Sequence, residues 1–376
     1  MRGTTLADAY VWGYPLVAMH RTCAAHGGVG RRLVARDRLA TAADRTVVAP
    51  NNDTLYASGW FDLRAGDLTV EVGPLDRYWS VMLLDAYTHV GYVCRRLHGR
   101  DGATVRVTYD PTAVPVVDKA TEVLTVGTPT VWVLARVLVA GPHDLEAARA
   151  ALAQVTVHPS GGRSTARPPD GDGFFGELQA ALATDPPAAW HPPPPAGLPE
   201  LMERSDDAAI AEGRRRMTQA AGVDRTGNGW GTRSRGADFG DDVAYRAAFA
   251  RVSLAGHLPA ENRSYSRGFD GSTRSELRFP PAGEPPVDGF WSLCVYGPDF
   301  FLVDNEIDRH SIGDRTPGLR RDADGSLTIV VGHDRPADTS NWLPTPDGPC
   351  VLALRAYEGR DEVVDARWFP PDLELR

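Results

Sequence analysis

Between Val47 and Ala140, apolar and polar residues alternate with a period of two, in short runs bounded by Gly, Pro and Asp. Successive side chains of a strand point to opposite faces, so this pattern predicts half-buried β-strands. The runs are TLYASGWFDLR, LTVEV, RYWSVMLLDAY, VGYVCRR, ATVRVTY, TEVLTV and TVWVLARVLV, with turn signals such as AGD, GPLD, GRDG and GTP between them. Alternation resumes after Gly271 in TRSELRF, GFWSLCVY, DFFLVDNE, GSLTIVV, CVLALRAYEG and ARWFP. Helical periodicity is found elsewhere. It predicts helices over residues 4–26, with Thr4 or Thr5 as N-cap and Gly27–Gly28 as the stop, and over 144–155, FFGELQAALA, 198–221 and 241–256. The Gly-, Pro- and Ser-rich stretch from His158 to Gly173 and the segment GVDRTGNGWGTRSRGADFGD read as loops.

The chain therefore reads as mainly β with α (α+β). An N-terminal helix leads into two antiparallel β-sandwich or jelly-roll-like modules joined by a helical region, with boundaries at 1–142, 143–270 and 271–376. A length of 376 residues suits two cores better than one. RYWSVMLL (77–84) echoes GFWSLCVY (289–296), and VWVLARVL (131–138) echoes VLALRAY (351–357). Such an echo follows from a duplicated module, but β-rich sequence also produces repeats this short by chance.

Composition changes this picture little. Thirty prolines and 38 glycines favour short strands and tight turns over long helices. The net charge of −9 is spread along the chain, and no basic patch interleaves with aromatics, which argues against a nucleic-acid partner. Cys23, Cys94, Cys294 and Cys350 are far apart and read as small buried hydrophobes rather than metal ligands. No apolar run reaches the roughly 18 residues of a membrane span. Asp8 and Pro15 interrupt the N-terminal apolar stretch, unlike a secretory leader, so a cytoplasmic location is expected.

The segments APNNDTLYASGWFDL, DRYWSVMLLDAYTHV and PTVWVLARVLV resemble domain of unknown function 1254, the N-terminal half of a bacterial family. FWSLCVYGPDFFLVDNEIDRHSIGDRT, DADGSLTIVV, NWLPTPDGPCVLALRAY and WFPP resemble its usual C-terminal partner, domain of unknown function 1214. The resemblance implies two β-sandwich, jelly-roll-like modules, often assembled into oligomers, and no established reaction. Many relatives are exported, whereas no leader is read here, and the middle region is short. Both departures point to an intracellular role, in keeping with specialised metabolism.

Candidate chemistry lies where ionisable side chains share a face with apolar ones. Asp85 falls on the face of Trp79, Val81 and Leu83, Arg136 on that of Trp132, Leu134 and Leu138, and Arg355 with Val351, Ala353 and Tyr357. A carboxylate on such a face is costly unless partnered. One reading makes Asp85 an acid or base in a cleft, helped by His89 or Tyr87, with Arg136 clamping an anionic group. The other has Asp85 paired with an arginine or capping the next turn. PNNDTLY is either a polar loop presenting Asn52, Asp53 and Tyr56 to a ligand, with Tyr56, Ser58 and Trp60 on one side, or a simple turn. Trp342, in the NWLP segment, either stacks on a ligand or pins its loop to the core. No HxxxH or HxH pattern anchors a metal site, no nucleotide loop is present, and no cofactor is expected. The leading expectation is acid–base chemistry of hydrolase, isomerase or cyclase type on a small polar or cyclic molecule. The alternative is a non-catalytic binder of glycans or small ligands using Tyr56, Trp60 and Trp342 as stacking platforms.

Overall fold

The computed structural model describes residues 4–45, 49–161, 173–204 and 207–375. Most of the loop expected from His158 to Gly173 falls outside them. The chain opens with α1 (Leu6–Ala25), started by a reciprocal cap in which Thr5 Oγ accepts the Asp8 N–H and Asp8 accepts the Thr5 N–H. Because α1 is apolar almost all round, it becomes the buried centre of a helical layer.

The first sandwich contains β1 (Val34–Ala35), β2 (Thr54–Asp62), β3 (Leu68–Val72), β4 (Trp79–Asp85), β5 (Val90–Cys94), β6 (Ala103–Tyr109), β7 (Val123–Val126), β8 (Thr130–Leu138) and β9 (Val155–Pro159). The second contains β10 (Arg225–Gly227), β11 (Trp230–Thr232), β12 (Asn262–Asp270), β13 (Ser275–Phe279), β14 (Val287–Tyr296), β15 (Ser311–Gly313), β16 (Leu327–Gly332), β17 (Trp342–Pro344), β18 (Pro349–Gly359) and β19 (Leu373–Leu375).

In the first, a β1-β2-β8-β4-β5 sheet faces a β7-β6-β3-β9 sheet across a core of Leu55, Phe61, Trp79, Val81, Val105 and Val131 among others. In the second, a β10-β11-β12-β18-β14-β15 sheet faces a β17-β16-β13-β19 sheet across Tyr265, Phe279, Trp291, Leu293 and Leu354. The order β2-β8-β4-β5 thus recurs as β12-β18-β14-β15, and β7-β6-β3-β9 recurs as β17-β16-β13-β19. The unusual parallel pair β6–β7 recurs as β16–β17. The two sandwiches are copies of one topology, which gives the sequence echo a structural cause.

The remaining helices are α2 (Arg95–His98), α3 (Leu145–Leu152), α4 (Gly173–Thr184), α5 (Leu198–Met202), α6 (Asp207–Ala220), α7 (Val243–Val252) and α8 (Asp361–Val364). α4, α6 and α7 pack on α1. α1 and α7 also cover part of the outer face of the β2-β8-β4 sheet through Met19, Cys23 and Phe249.

Four local expectations change. Both sandwiches reach into the stretch 143–270 read as connection, through β9 at one end and β10 to β12 at the other. β12 escaped notice because its solvent face is Ser264, Ser266 and Gly268, which mutes the alternation. DFFLVDNE is not a strand; it touches the sheet only through a bridge between Leu302 and Tyr296, after Phe300 takes a positive φ of 62°. ARWFP is irregular, since Pro370 and the Pro371 that follows it cannot donate to a ladder, and their carbonyls instead accept from Asn228 and Trp230. The NWLP segment read as a rigid loop supplies β17.

Candidate functional site at the junction of the two sandwiches

The duplication places two arginines at one equivalent position. Arg136 on β8 lies opposite Ser80 on β4, and Arg355 on β18 lies opposite Ser292 on β14. Each projects from the outer face of its sheet, away from the sandwich core, and those outer faces meet at the junction where Tyr78, Leu138, Phe290 and Tyr357 pack together.

Residues 49–53 run across this junction as a strap and satisfy the second sandwich. Arg355 donates to the Ala49 carbonyl at 2.9 Å and to the Tyr296 hydroxyl at 2.7 Å, and Tyr296 donates to the Pro50 carbonyl at 2.8 Å. Asn51 donates to the Tyr357 hydroxyl, Ser311 donates to Asn52 at 3.4 Å, and Ser292 donates to the Asp53 carboxyl. Burial pushes that carboxyl above the usual range, against the opposing effects of Ser292 and Arg355. Asn51 Oδ1 also accepts the Asp53 N–H at 2.9 Å, a local turn of the expected kind, and from that turn Asn52 and Asp53 tie one sandwich to the other.

Arg136 has no such strap. Its guanidinium meets Met82 Sδ at 3.8 and 4.0 Å and the Ala255 carbonyl at 3.5 Å, lies 5.3 Å from the centre of the Tyr56 ring, and leaves Nε without a partner. Among the described residues no carboxylate comes within ion-pair distance of it, although only 4% of the residue is exposed. Tyr56, Tyr78, Tyr92 and Tyr357 surround it.

His257, in the segment after α7, stands beside this guanidinium. Its Nδ1 lies 3.3 Å from the Tyr92 hydroxyl, which also accepts the Leu258 N–H at 3.2 Å. The ring is 6.3 Å from that of Tyr357. Burial, reinforced by Arg136 and Arg355, holds the imidazole well below its ordinary pKa, so it is neutral at neutral pH. Yet His257 keeps accessible surface, as do Tyr56 and Arg355. A side chain can be deep and still accessible where it lines a recess inside the molecule. A groove of about 680 Å³, lined by Arg95, Arg96, Arg100, Glu358, Arg360 and Asp361 among others, lies over the same junction. Hydrogen bonds run inward from its lining: Arg96 donates to the buried Glu261, which accepts from Tyr78 at 2.7 Å.

Asp85 lies at the other end of β4 from Ser80 and on the opposite face from Arg136. One carboxylate oxygen accepts the Tyr87 and His89 N–H groups, both at 2.9 Å, and the other takes His191 Nε2–H at 2.9 Å. His191 Nδ1 accepts the Ala188 N–H, which fixes its tautomer. Burial alone would raise Asp85, but His191 and the amides outweigh it and hold the carboxyl below its ordinary value. His89 stacks on His191 at 4.9 Å and accepts from Arg246 at 2.6 Å. Burial lowers His89 to about 3 and Arg246 to about 10. Tyr87 donates to the Asp185 carbonyl at 3.2 Å, and Asp185 pairs with His20 at 2.9 Å. The structure thus brings Asp85, Tyr87 and His89 together, but in a tight turn rather than along a strand, with Asp85 fully partnered.

Trp60 is 3% exposed and stacks on Trp132 at 5.0 Å, and Trp342 is 1% exposed and donates to the Gly332 carbonyl. Neither presents a ring to solvent. Among the described residues no cluster of three or more metal-ligating side chains occurs, and no helix is long and apolar enough to cross a membrane. Sequence reasoning missed His257, His191, Asn51 and Glu261. His191 opens a proline run and Asn51 adjoins two residues singled out, but nothing periodic marks His257 or Glu261.

The fold and junction define a duplicated two-sandwich protein with a helical layer. Residues 31–159 match the model of a protein of unknown function, DUF1254, and residues 258–361 match that of another, DUF1214. The chain belongs to the family that pairs these two domains. No curated protein matches it. The VPA0106 protein from Vibrio parahaemolyticus is similar in structure, with a TM-score of 0.72 and 20% identity over 99% of this chain and 98% of that one. A putative uncharacterized protein from Burkholderia cenocepacia has a TM-score of 0.54 and 13% identity over 98% of this chain and 86% of that one. At these identities the two share the fold.

Proposed function

We propose that the protein is an enzyme that takes a small polar or cyclic molecule into the junction recess and acts on it by acid–base chemistry. Arg136 holds an electron-rich group of the substrate, and His257 moves the proton. The imidazole is tethered to Tyr92 through Nδ1, which fixes the ring and leaves its other nitrogen for the substrate. Proton transfer of this kind serves hydrolase, isomerase and cyclase reactions alike.

One observation carries the reading. Two copies of one fold hold an arginine at the same position; one makes short bonds to a carbonyl and a phenol, and the other has only a thioether and a distant carbonyl. A buried guanidinium held by such weak acceptors and no carboxylate costs stability, and a role toward a ligand accounts for its retention.

The test is a thermal-shift screen of small metabolites on the wild type, Arg136→Met and His257→Gln. Compounds that raise the wild-type midpoint are expected to lose their effect in Arg136→Met. His257→Gln is expected to keep binding and lose turnover. A ligand whose binding ignores Arg136 would place the site elsewhere and end the proposal.

A further inference from the structure

We infer that the ligand of the recess is a small monocarboxylate with an apolar or aromatic body. The inference rests on the recess being the ligand site and specifies what it takes.

The second sandwich displays the chemistry that this position of the fold accepts. Around Arg355 the protein places a carbonyl oxygen from Ala49, the phenol of Tyr296 and the Cys294 thiol at 3.5 Å and, on the cross-strand Ser292, the carboxyl of Asp53. The oxygen ligands among these are carried by planar groups, and planar carboxylates match a guanidinium fork in two parallel hydrogen bonds. Arg136 stands at the same register with only the Met82 sulfur and, at 3.5 Å, the Ala255 carbonyl before its donors.

Charge sets the valence. Arg355 lies beside the Asp53 carboxyl, Arg96 is paired with Glu261 and Arg95 with Glu358, so Arg136 brings one unmatched positive charge to the recess. A monoanion neutralises it. A phosphate dianion would leave a buried negative charge near Glu261 and Glu358, which are 0% and 4% exposed. The walls set the body: phenol rings of Tyr56 and Tyr357 and the thioether of Met82 offer apolar contact and few donors.

Calorimetry on the full chain with benzoate, acetate, benzamide and phenyl phosphate tests this. Benzoate is expected to bind more tightly than acetate, benzamide and phenyl phosphate. Arg136→Met is expected to weaken benzoate by about 10- to 100-fold, the usual worth of a hydrogen bond to a charged group, with Arg136→Lys in between. Circular dichroism and a single unfolding transition establish that each variant is folded. If benzamide or phenyl phosphate binds as well as benzoate and depends on Arg136, the recess stands and the carboxylate assignment falls. If neither carboxylate shows Arg136-dependent binding, both fall.

Discussion

Arg136 and Arg355 are register equivalents: each faces a serine across the central strand pair of its own sandwich, Ser80 in one case and Ser292 in the other. The two side chains nevertheless have opposite surroundings. This makes the protein its own control, because one substitution at two equivalent positions should have two different consequences.

Arg355→Met removes the donor that satisfies the Ala49 carbonyl and the Tyr296 hydroxyl. It is expected to cost about 2–4 kcal/mol, as breaking a buried charged hydrogen-bond network does. Arg136→Met strands no well-made acceptor and removes an uncompensated charge, so its expected effect lies between none and a gain of about 1 kcal/mol. Urea titrations of both variants check the contrast. A loss of several kcal/mol in Arg136→Met would show that this arginine serves the fold.

Asp85→Asn is expected to destabilise by about 2–4 kcal/mol. An amide has one acceptor and one donor end, whereas Asp85 meets only donors: two backbone N–H groups and His191 Nε2–H. Whichever way the amide turns, donor faces donor. Arg136-dependent ligand binding should survive the change. Normal stability combined with lost turnover would instead restore Asp85 to catalysis.

Stability should rise with pH through the acidic range. His89 is lowered to about 3 and His257 well below its ordinary value, both mainly by burial. Below the unfolded value near 6.5 the unfolded chain binds protons that the folded chain does not, so unfolding becomes easier as pH falls. Each histidine contributes a slope of about 1.4 kcal/mol per pH unit between the unfolded and folded values. Asp85, whose folded value is also lowered, adds a further loss below about pH 4. Denaturation between pH 4 and 7 is the measurement, and His257→Gln should flatten the curve by one proton. An unchanged slope would mean that His257 already charges in the folded state.

Gly13→Ala is expected to cost about 1–3 kcal/mol by overpacking. A Cβ there would lie 2.5 Å from Leu178 Cδ2, and Leu178 is fully buried between α1 and α4. The added methyl should be tolerated once Leu178 is shortened, so a double-mutant cycle with Leu178→Ala should show strong coupling. Additive costs would rule out this contact as the cause.

Much of the architecture was legible because the strands of both sandwiches bury one strict face. Trp79, Val81 and Leu83 could only read as they do, and the same alternation marked Arg136 and Arg355 as charged residues on apolar faces. What could not be read was pairing between distant segments. Nothing in VWVLARVL distinguishes an arginine saturated by a strap from one that is not, since the strap for Arg355 comes from residues 49–53, some 300 positions away in the chain. His257 sits in irregular backbone, where no period announces a face. His191 finds Asp85 through a proline-rich turn whose path depends on the helical layer. The tryptophans misled for a related reason: Trp60 and Trp342 stood where alternation allows either a wet or a dry surface.

The strap also makes the kinship of the halves one-directional. The second half borrows the carbonyls and carboxyl that complete it from the chain of the first, while no such loan from the second half completes Arg136. Excising residues 1–160 would therefore strip Arg355 of its carbonyl acceptor and of the carboxyl beside it, leaving only Tyr296 and Cys294. Two sandwiches of one topology are in this way bound unequally, one leaning on its neighbour's chain for the ligands of its arginine.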